Sequence, residues 1–513
     1  MSNYLLGIDC GCTVSKAAIF TVDGREIAVS GSKVEVISPQ PGYIERDANG
    51  VWRAAVQAIR QVLAQAGIDP GAIVCVACTG HGNGLYLVDQ FGHPVRHAIL
   101  STDNRARAIV DRWLAEGLDR LVRPKTMQAL WPAQPNALLA WLKAHEPQWL
   151  ARTRWALMCK DFIRMRLTGQ PAGELTDWSG TSLLDVARGD YDDGLLEAFG
   201  IQQCRSLLPP LCRSEQICGS VTAEAAAATG LREGTPVAGG LFDIDACALA
   251  SGVIDEKQLC MAAGTWGCNQ YASRQPVVSD QVFMTSRYCI PGYYLILEGS
   301  ATSASNLEWF VSELFGARHH GDEAEGQSIY QQCSQWVAET DRCKDSGIVF
   351  LPFLYGSHAQ ADAKGCLLGL SGWHTRGDVL RAVFEGVVFA HRTHVDRLLK
   401  FRAPPTSIRL TGGAARSPAW LEIFADCFQL PIEVPEGTEL GALGAAICAA
   451  VAAGCYPSFQ DAAGAMVRIA KRQQPDQSLA GLYEAKYARY RAMIDVMAPA
   501  WPQCAPLGLA AQS

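Results

Sequence analysis

The sequence predicts an α/β protein built from two domains that face one cleft. Three observations carry this: the length, a steady alternation of strand-like and helix-like segments, and a strand-and-turn pattern that recurs in both halves. At 513 residues the chain exceeds the roughly 100–200 that one hydrophobic core usually organises. Hydrophobic residues make up 49% and charged residues 19%, enough apolar surface for large cores and far from the composition of disorder.

The alternation begins with strands at residues 4–9 and 17–22 around a turn at 10–15. A helix at 51–66 follows, with Val51, Ala55, Ile59, Val62 and Leu63 on one face and Gly67 as its cap. Strands at 73–78 and 85–89 and a helix at 137–143 continue the rhythm. A helix at 378–400 is apolar nearly all round at Val387-Val388-Phe389-Ala390, which predicts burial between layers. The segment 440–455 is mostly Ala and Gly and shorter than the roughly 20 residues a membrane span needs, so it reads as a buried helix lying close against a sheet. A more polar helix at 479–496, rich in Tyr, Lys and Arg, is expected on the outside.

The recurrence is seen in residues 5–11 (LLGIDCG) and 237–243 (VAGGLFD), each placing an aspartate beside glycine at the end of an apolar strand. Residues 259–265 (LCMAAGT) and 408–414 (IRLTGGA) run from strands into small-residue turns. The break is expected near residue 247, with domains 1–247 and 248–513.

Composition narrows the function classes. Lys plus Arg number 44 against 51 acids, a net charge of −7, which argues against a partner held through a phosphate backbone. Nineteen scattered cysteines contain one C-x-x-C, Cys75-Val76-Ala77-Cys78, inside a predicted buried strand; small apolar residues in a reducing cytoplasm explain them better than zinc. The N-terminus lacks the pattern of a signal peptide. A cytoplasmic protein with no membrane partner is expected.

The usual nucleotide motifs are missing. No Gly-Lys pair exists for a Walker A loop, and Gly80-His81-Gly82-Asn83-Gly84 has Leu85 where a Rossmann loop needs its third glycine. The turn from Asp9 to Lys16 instead offers a carboxylate, backbone N–H groups around Gly11, the Thr13 hydroxyl and an ammonium. Such turns cradle phosphate oxygens, and a carboxylate there can hold Mg²⁺ through water; an ordinary polar hairpin is the alternative. Asp243 follows Gly239-Gly240-Leu241-Phe242 and either caps the helix that starts there or serves as a general base. Asp245, two residues on, should point elsewhere.

Together these pieces resemble the FGGY family of carbohydrate kinases. Gly365-Cys366-Leu367-Leu368-Gly369-Leu370, Asp378-Val379 and Ala382-Val383-Phe384-Glu385 meet every element of that family's second signature. Pro41-Gly42-Tyr43-Ile44-Glu45-Arg46-Asp47 with Trp52, residues 98–106 (AILSTDNRA), Leu167-Thr168-Gly169 and residues 412–417 (GGAARS) extend the likeness along nearly the whole chain. Within the family it is most similar to xylulose kinases of the L-xylulose/3-keto-L-gulonate type, through residues 38–42, 306–310 and 351–357. The chain departs from the family at Leu138, where a lysine is usual three residues before Trp141, and at Cys12, where the phosphate turn commonly has threonine. It also departs at the loop 81–84, where D-xylulose kinases carry Gln-Met-His-Gly.

The resemblance implies two ribonuclease-H-like (actin-like ATPase) domains flanking a central cleft, with ATP and Mg²⁺ as cofactors and a small sugar as substrate. It implies Asp243 as the base, Asp9 as the catalytic metal-holding carboxylate, and Thr13, Lys16, Gly264, Thr265, Gly413 and Ser417 around the nucleotide. His81, Gly82, Asn83, Asp103 and Arg105 are expected on the sugar side, although Asp103 and Arg105 can equally pair with each other. Trp131 and Asp177 are candidate pocket walls, and His319-His320 reads as a solvated loop. A homodimer is the family's common state. The reaction implied is phosphorylation of a ketopentose (xylulose) to its 5-phosphate. The alternatives are a kinase for erythritol, glycerol, ribulose or gluconate, and an actin-like or chaperone-like ATPase.

Overall fold

The computed structural model describes residues 3–315, 328–357, 360 and 362–504. The chain forms two compact units. One comprises Met1–Glu256, Tyr271–Ile296 and Glu436–Arg468; the other comprises Lys257–Gln270, Leu297–Pro435 and Ile469–Ser513.

The first unit is organised by a mixed sheet. Its strands run in the order Ile217–Ser220, Pro236–Ala238, Ile73–Gly80, Tyr4–Cys10, Val14–Thr21, Glu26–Lys33, and the short strand Leu241–Phe242 also pairs with Ile73–Gly80. Tyr4–Cys10 is antiparallel to Val14–Thr21 and parallel to Ile73–Gly80. Asp9 therefore stands opposite Lys16 on one side and Thr79 on the other. The helix Ala48–Ala66 packs its apolar stripe on this sheet. Asp47 caps its N-terminus by accepting from the Asn49 N–H at 3.0 Å, and Gly67 ends it in the left-handed region at φ 60°.

The second unit repeats the opening pattern. Gln258–Ala263 is antiparallel to Gly267–Ser273 and parallel to Ser407–Thr411, which continues through Ile432–Pro435 to the antiparallel Ile469–Gln473. A hairpin followed by a parallel strand thus begins both sheets, as the recurring strand-and-turn segments suggest. The helix Arg376–Leu398 opens on a capping box between Thr375 and Asp378 and is buried on all sides from Leu380 to His391. The outer helix Ala480–Met497 buries Tyr483, Lys486, Tyr487 and Tyr490, and Lys486 pairs with Glu385 at 2.8 Å.

The small-residue segment forms the helix Leu440–Ala452. Its close approach has a direct measure: a Cβ on Gly7 would lie 2.0 Å from the Ala442 carbonyl oxygen, and one on Gly444 would lie 2.2 Å from that of Ala246. At these two positions only glycine allows that spacing. These contacts give the helix to the first unit, so a single cut near residue 247 does not separate the compact units; the chain returns to the first after completing most of the second. Among the described residues, no helix is long and apolar enough to cross a membrane.

Candidate active site

The first strand delivers Asp9 to the edge of the phosphate-type turn. Gly11 N–H closes that turn on the Val14 carbonyl at 3.1 Å, and the Thr13 side chain is exposed. A Cβ on Gly441 would come within 2.3 Å of Asp9 Oδ2, so the carboxylate leans against the first turn of the helix Leu440–Ala452. Desolvation pushes the Asp9 carboxyl up to about 6, opposed by Lys16 and reinforced by Glu439. Lys16, expected to reach phosphate, pairs with Glu439 at 2.7 Å.

Asp243 is set by the glycine pair before it. Gly240 takes φ +81°, and a Cβ there would meet the Cys78 carbonyl oxygen at 2.1 Å. Leu241 and Phe242 then pair with Thr79 and Gly80, and the Phe242 N–H donates to Thr176 Oγ1 at 2.9 Å. The Phe242 ring occupies the place a Cβ on Gly82 would need, 2.1 Å away. That contact explains the glycine in the 81–84 loop and seats the loop beside Asp243, the first residue of the helix Asp243–Ala250. Desolvation raises the Asp243 carboxyl well above the usual range, and the charges of Asp9 and Asp177 add to the shift. Asp245 is fully buried and likewise raised by desolvation, with Glu174 and Asp177 adding to the effect.

His81 meets Arg46 Nη2 through Nε2 at 2.7 Å. A guanidinium can only donate, so Nε2 accepts and the ring proton sits on Nδ1, 3.4 Å from the Gly82 carbonyl oxygen. Asn83 is buried at φ 59°, and among the described residues no hydrogen-bond partner reaches its Oδ1. Arg105 donates to Asp103 three times, at 2.8 Å from its backbone N–H and at 2.9 Å from Nε and from Nη2. Asp103 also accepts from the Ile44 N–H, Arg105 also reaches Glu45 at 2.7 Å, and its guanidinium lies 4.4 Å from the Tyr43 ring centre. Arg105 Nη1 is the one nitrogen of that fork with no hydrogen-bond partner among the described residues. Trp131 is half-buried with its ring 6.1 Å from that of Phe283. His319 and His320 lie outside the described residues.

Two groups escape a reading of the sequence. Arg46 is fully buried and joins the phosphate-type turn to the 81–84 loop. Its Nη1 donates to the Gly11 and Cys12 carbonyls at 2.9 and 3.1 Å, its Nε to Tyr86 Oη at 2.7 Å, and its Nη2 also to Cys159 Sγ at 3.1 Å. The available signal was a basic residue inside the 41–47 segment.

The second group centres on Lys160, wholly buried among Asp161, Asp177 and Glu174 at 3.1, 3.2 and 3.4 Å. Glu174 accepts from Thr176 Oγ1, the same oxygen that receives the Phe242 N–H, so this ion cluster supports the backbone of the Asp243 turn. Asp177 therefore belongs to the cluster, and desolvation pushes its carboxyl up to about 7 against the pull of Lys160. Replacing Lys160 with Met removes the buried cation beside Asp177 and Glu174, while Asp161 keeps Arg164 at 2.9 Å. The expected loss is about 3–5 kcal/mol, read as a lowered Tm by calorimetry.

In the second unit a cavity of about 940 Å³ is lined by Gly264, Thr265, Gly413, Ser417, Trp420 and Phe384, among others. Four residues expected at the nucleotide line it together. Its size suits a cofactor-sized molecule. Gly412 needs its glycine for the fold, since φ is +85° and a Cβ would meet Ala263 at 2.6 Å, but a Cβ on Gly264 or Gly413 would meet nothing within 4 Å. Protein packing alone does not demand glycine at these two positions. Ser417 caps the helix Pro418–Phe428 and bonds to Ser334 Oγ at 2.9 Å. Gly413→Ala is expected to leave Tm unchanged and raise the KM for ATP several-fold, measured by steady-state kinetics.

Comparison with known proteins agrees with this geometry. Residues 4–250 match the FGGY family of carbohydrate kinases, N-terminal domain, and residues 259–453 match its C-terminal domain. The L-xylulose/3-keto-L-gulonate kinase of Escherichia coli (strain K12) is 37% identical over 495 residues, covering 96% of this chain and 97% of that one. The erythritol kinase of Brucella abortus (strain 2308) is 28% identical, covering 98% of each chain. The crystal structure of xylulose kinase from Rhodospirillum rubrum superposes with a TM-score of 0.86 at 28% identity, covering 97% of this chain and 100% of that one. A sugar kinase takes its phosphoryl group from ATP, and both the strand-and-turn signatures and the fold point the same way. The chain belongs to the FGGY family of carbohydrate kinases and is a phosphotransferase acting on an alcohol group of a sugar.

Proposed function

We propose that this enzyme transfers the γ-phosphoryl group of ATP to the terminal hydroxyl of a ketopentose of the xylulose type, giving the 5-phosphate. The observation that carries the reading is Asp243, held at the start of its helix by the glycine pair and the Phe242–Thr176 bond, beside the 81–84 loop. The likeness to an L-xylulose/3-keto-L-gulonate kinase supports the choice of sugar. The division of labour proposed is that of the two sequence halves: residues 1–247 carry the sugar side and the first phosphate turn, and 248–513 the nucleotide cavity.

Phosphoryl transfer requires positioning and charge stabilisation more than covalent help. An alcohol is too weak an acid for a carboxylate to deprotonate beforehand, so Asp243 orients the hydroxyl and takes its proton late, as the bond to phosphorus forms. Asn83, with its open amide oxygen, and the remaining donor of Arg105 are the sugar-side groups with hydrogen-bonding capacity to spare. Thr13 and the N–H groups of its turn face phosphate oxygens.

Mg²⁺ fits the first unit's residues. The Asp9 charge adds to the rise of the Asp243 carboxyl, and Lys16 offsets the desolvation of Asp9 only in part. Asp9 would hold such an ion through water, where it neutralises phosphate charge. The test is a coupled assay over L-xylulose, D-xylulose, 3-keto-L-gulonate, ribulose, erythritol, glycerol and gluconate. The highest kcat/KM is expected on a xylulose, and preference for an alditol or an aldonate would replace this reading.

A further inference from the structure

The turn beneath the glycine pair that leads to Asp243 is bracketed by two cysteines. The strands Leu211–Cys212 and Ile217–Ser220 are joined through residues 213–216, where the Gln216 N–H donates to the Arg213 carbonyl at 3.2 Å. Cys212 is buried, Cys218 is half-buried with its thiol donating to the Gln216 carbonyl at 3.4 Å, and the two thiols are near enough to shift each other's proton affinity. Three contacts tie the turn to the glycines. Gly239 N–H donates to Gln216 O at 2.8 Å, Gly240 N–H donates to Ser214 O at 3.1 Å, and a Cβ on Gly239 would sit 2.3 Å from Arg213 O. Arg164 completes the link, donating to Gly239 O at 2.5 Å.

We propose that Cys212 and Cys218 form a reversible dithiol–disulfide modification site, and that closing it reshapes the 213–216 turn and displaces Asp243 through Gly239 and Gly240. The inference rests on the proposed role of Asp243 for its effect on turnover, and on the turn geometry alone for the bond itself.

The chemistry balances with a peroxide as the oxidant. The Cys218 thiolate attacks one peroxide oxygen, the O–O bond breaks, and the departing hydroxide takes up the thiol proton as water, leaving a sulfenic acid. Cys212 sulfur then attacks Cys218 sulfur; the S–O bond breaks and a second water leaves with the Cys212 proton. Two thiols lose two electrons to the peroxide, and a small external dithiol reverses the change. Cys218 suits the attacking role because it is the half-buried member of the pair and Cys212 the buried one. The neighbouring Cys212 thiol holds the Cys218 thiol below its ordinary value, with the Arg164 guanidinium adding to the effect against desolvation.

The test is treatment of the full-length enzyme with hydrogen peroxide, followed by peptide mapping, amide hydrogen exchange and turnover on its best sugar. Expected are a Cys212–Cys218 crosslink, faster exchange over residues 239–243, and a fall in turnover of at least about tenfold that dithiothreitol restores. Cys218→Ser is expected to keep basal turnover and to lose the response. A missing crosslink, a crosslink without change in exchange or turnover, or an equal response in Cys218→Ser would each overturn the proposal. Failure of the Asp243 reading shows itself separately, as normal turnover of reduced Asp243→Asn, and leaves the crosslink and the exchange change in place.

Discussion

Asp243→Asn lowers kcat by about 10²–10⁴-fold, the share a positioned general base usually contributes, while sugar affinity measured by calorimetric titration stays near that of the parent. The amide keeps the shape and one acceptor of the carboxylate but cannot receive the proton released as the sugar oxygen bonds to phosphorus. The same substitution raises Tm at pH 8. Desolvation and the neighbouring Asp9 and Asp177 hold the folded carboxyl's proton affinity above its unfolded value of 3.8. The ionised form therefore costs folding free energy once pH rises through the folded value, and the cost is absent below the unfolded one. The Tm gain of the variant must accordingly shrink as pH falls toward 4. Activity is expected to run in the opposite sense, because the role proposed for Asp9 needs its ionised form and desolvation pushes that carboxyl up to about 6, so kcat/KM declines below that pH. Near-normal turnover in Asp243→Asn would remove this residue from the role.

Arg46→Ala is the second large effect, about 10²-fold in kcat, the scale expected when a positioning contact is lost. The Arg46 fork holds two carbonyls of the phosphate-type turn and the His81 ring at once. Removing it frees both loops while deleting no group that touches a reacting atom, so kcat is expected to suffer more than the KM for sugar. Lysine does not replace it, since a point charge on a flexible stem cannot satisfy five acceptors at once. Millimolar guanidinium is expected to restore part of the activity of Arg46→Ala, whereas ammonium at equal concentration does not. Rescue by neither, together with a cooperative loss of structure in calorimetry, would reduce Arg46 to a buried structural charge.

The stretch that makes the family legible, residues 365–385, acts in packing rather than in chemistry. Gly369 takes φ +84°, a Cβ on Gly365 would meet Leu354 at 2.5 Å, Asp378 closes the capping box, and Glu385 receives Lys486. Such positions are readable because each answers a local or near-local demand for a left-handed backbone, a cap or a close approach. The family match likewise set aside the actin-like or chaperone-like ATPase alternative, which shares the phosphate turns.

From its sequence alone this protein's α/β class, its strand-and-turn aspartates, its helix caps and its kinship with sugar kinases could be established, since periodicity and glycine placement act over a few residues. The tertiary structure decided the rest. It assigned Lys16 to Glu439, enclosed Lys160 among three carboxylates, made Arg46 the link between two loops, and returned the helix Leu440–Ala452 to the first unit. A buried charge must find its partners wherever the fold brings them, and a small-residue helix declares how closely it packs but not against which sheet.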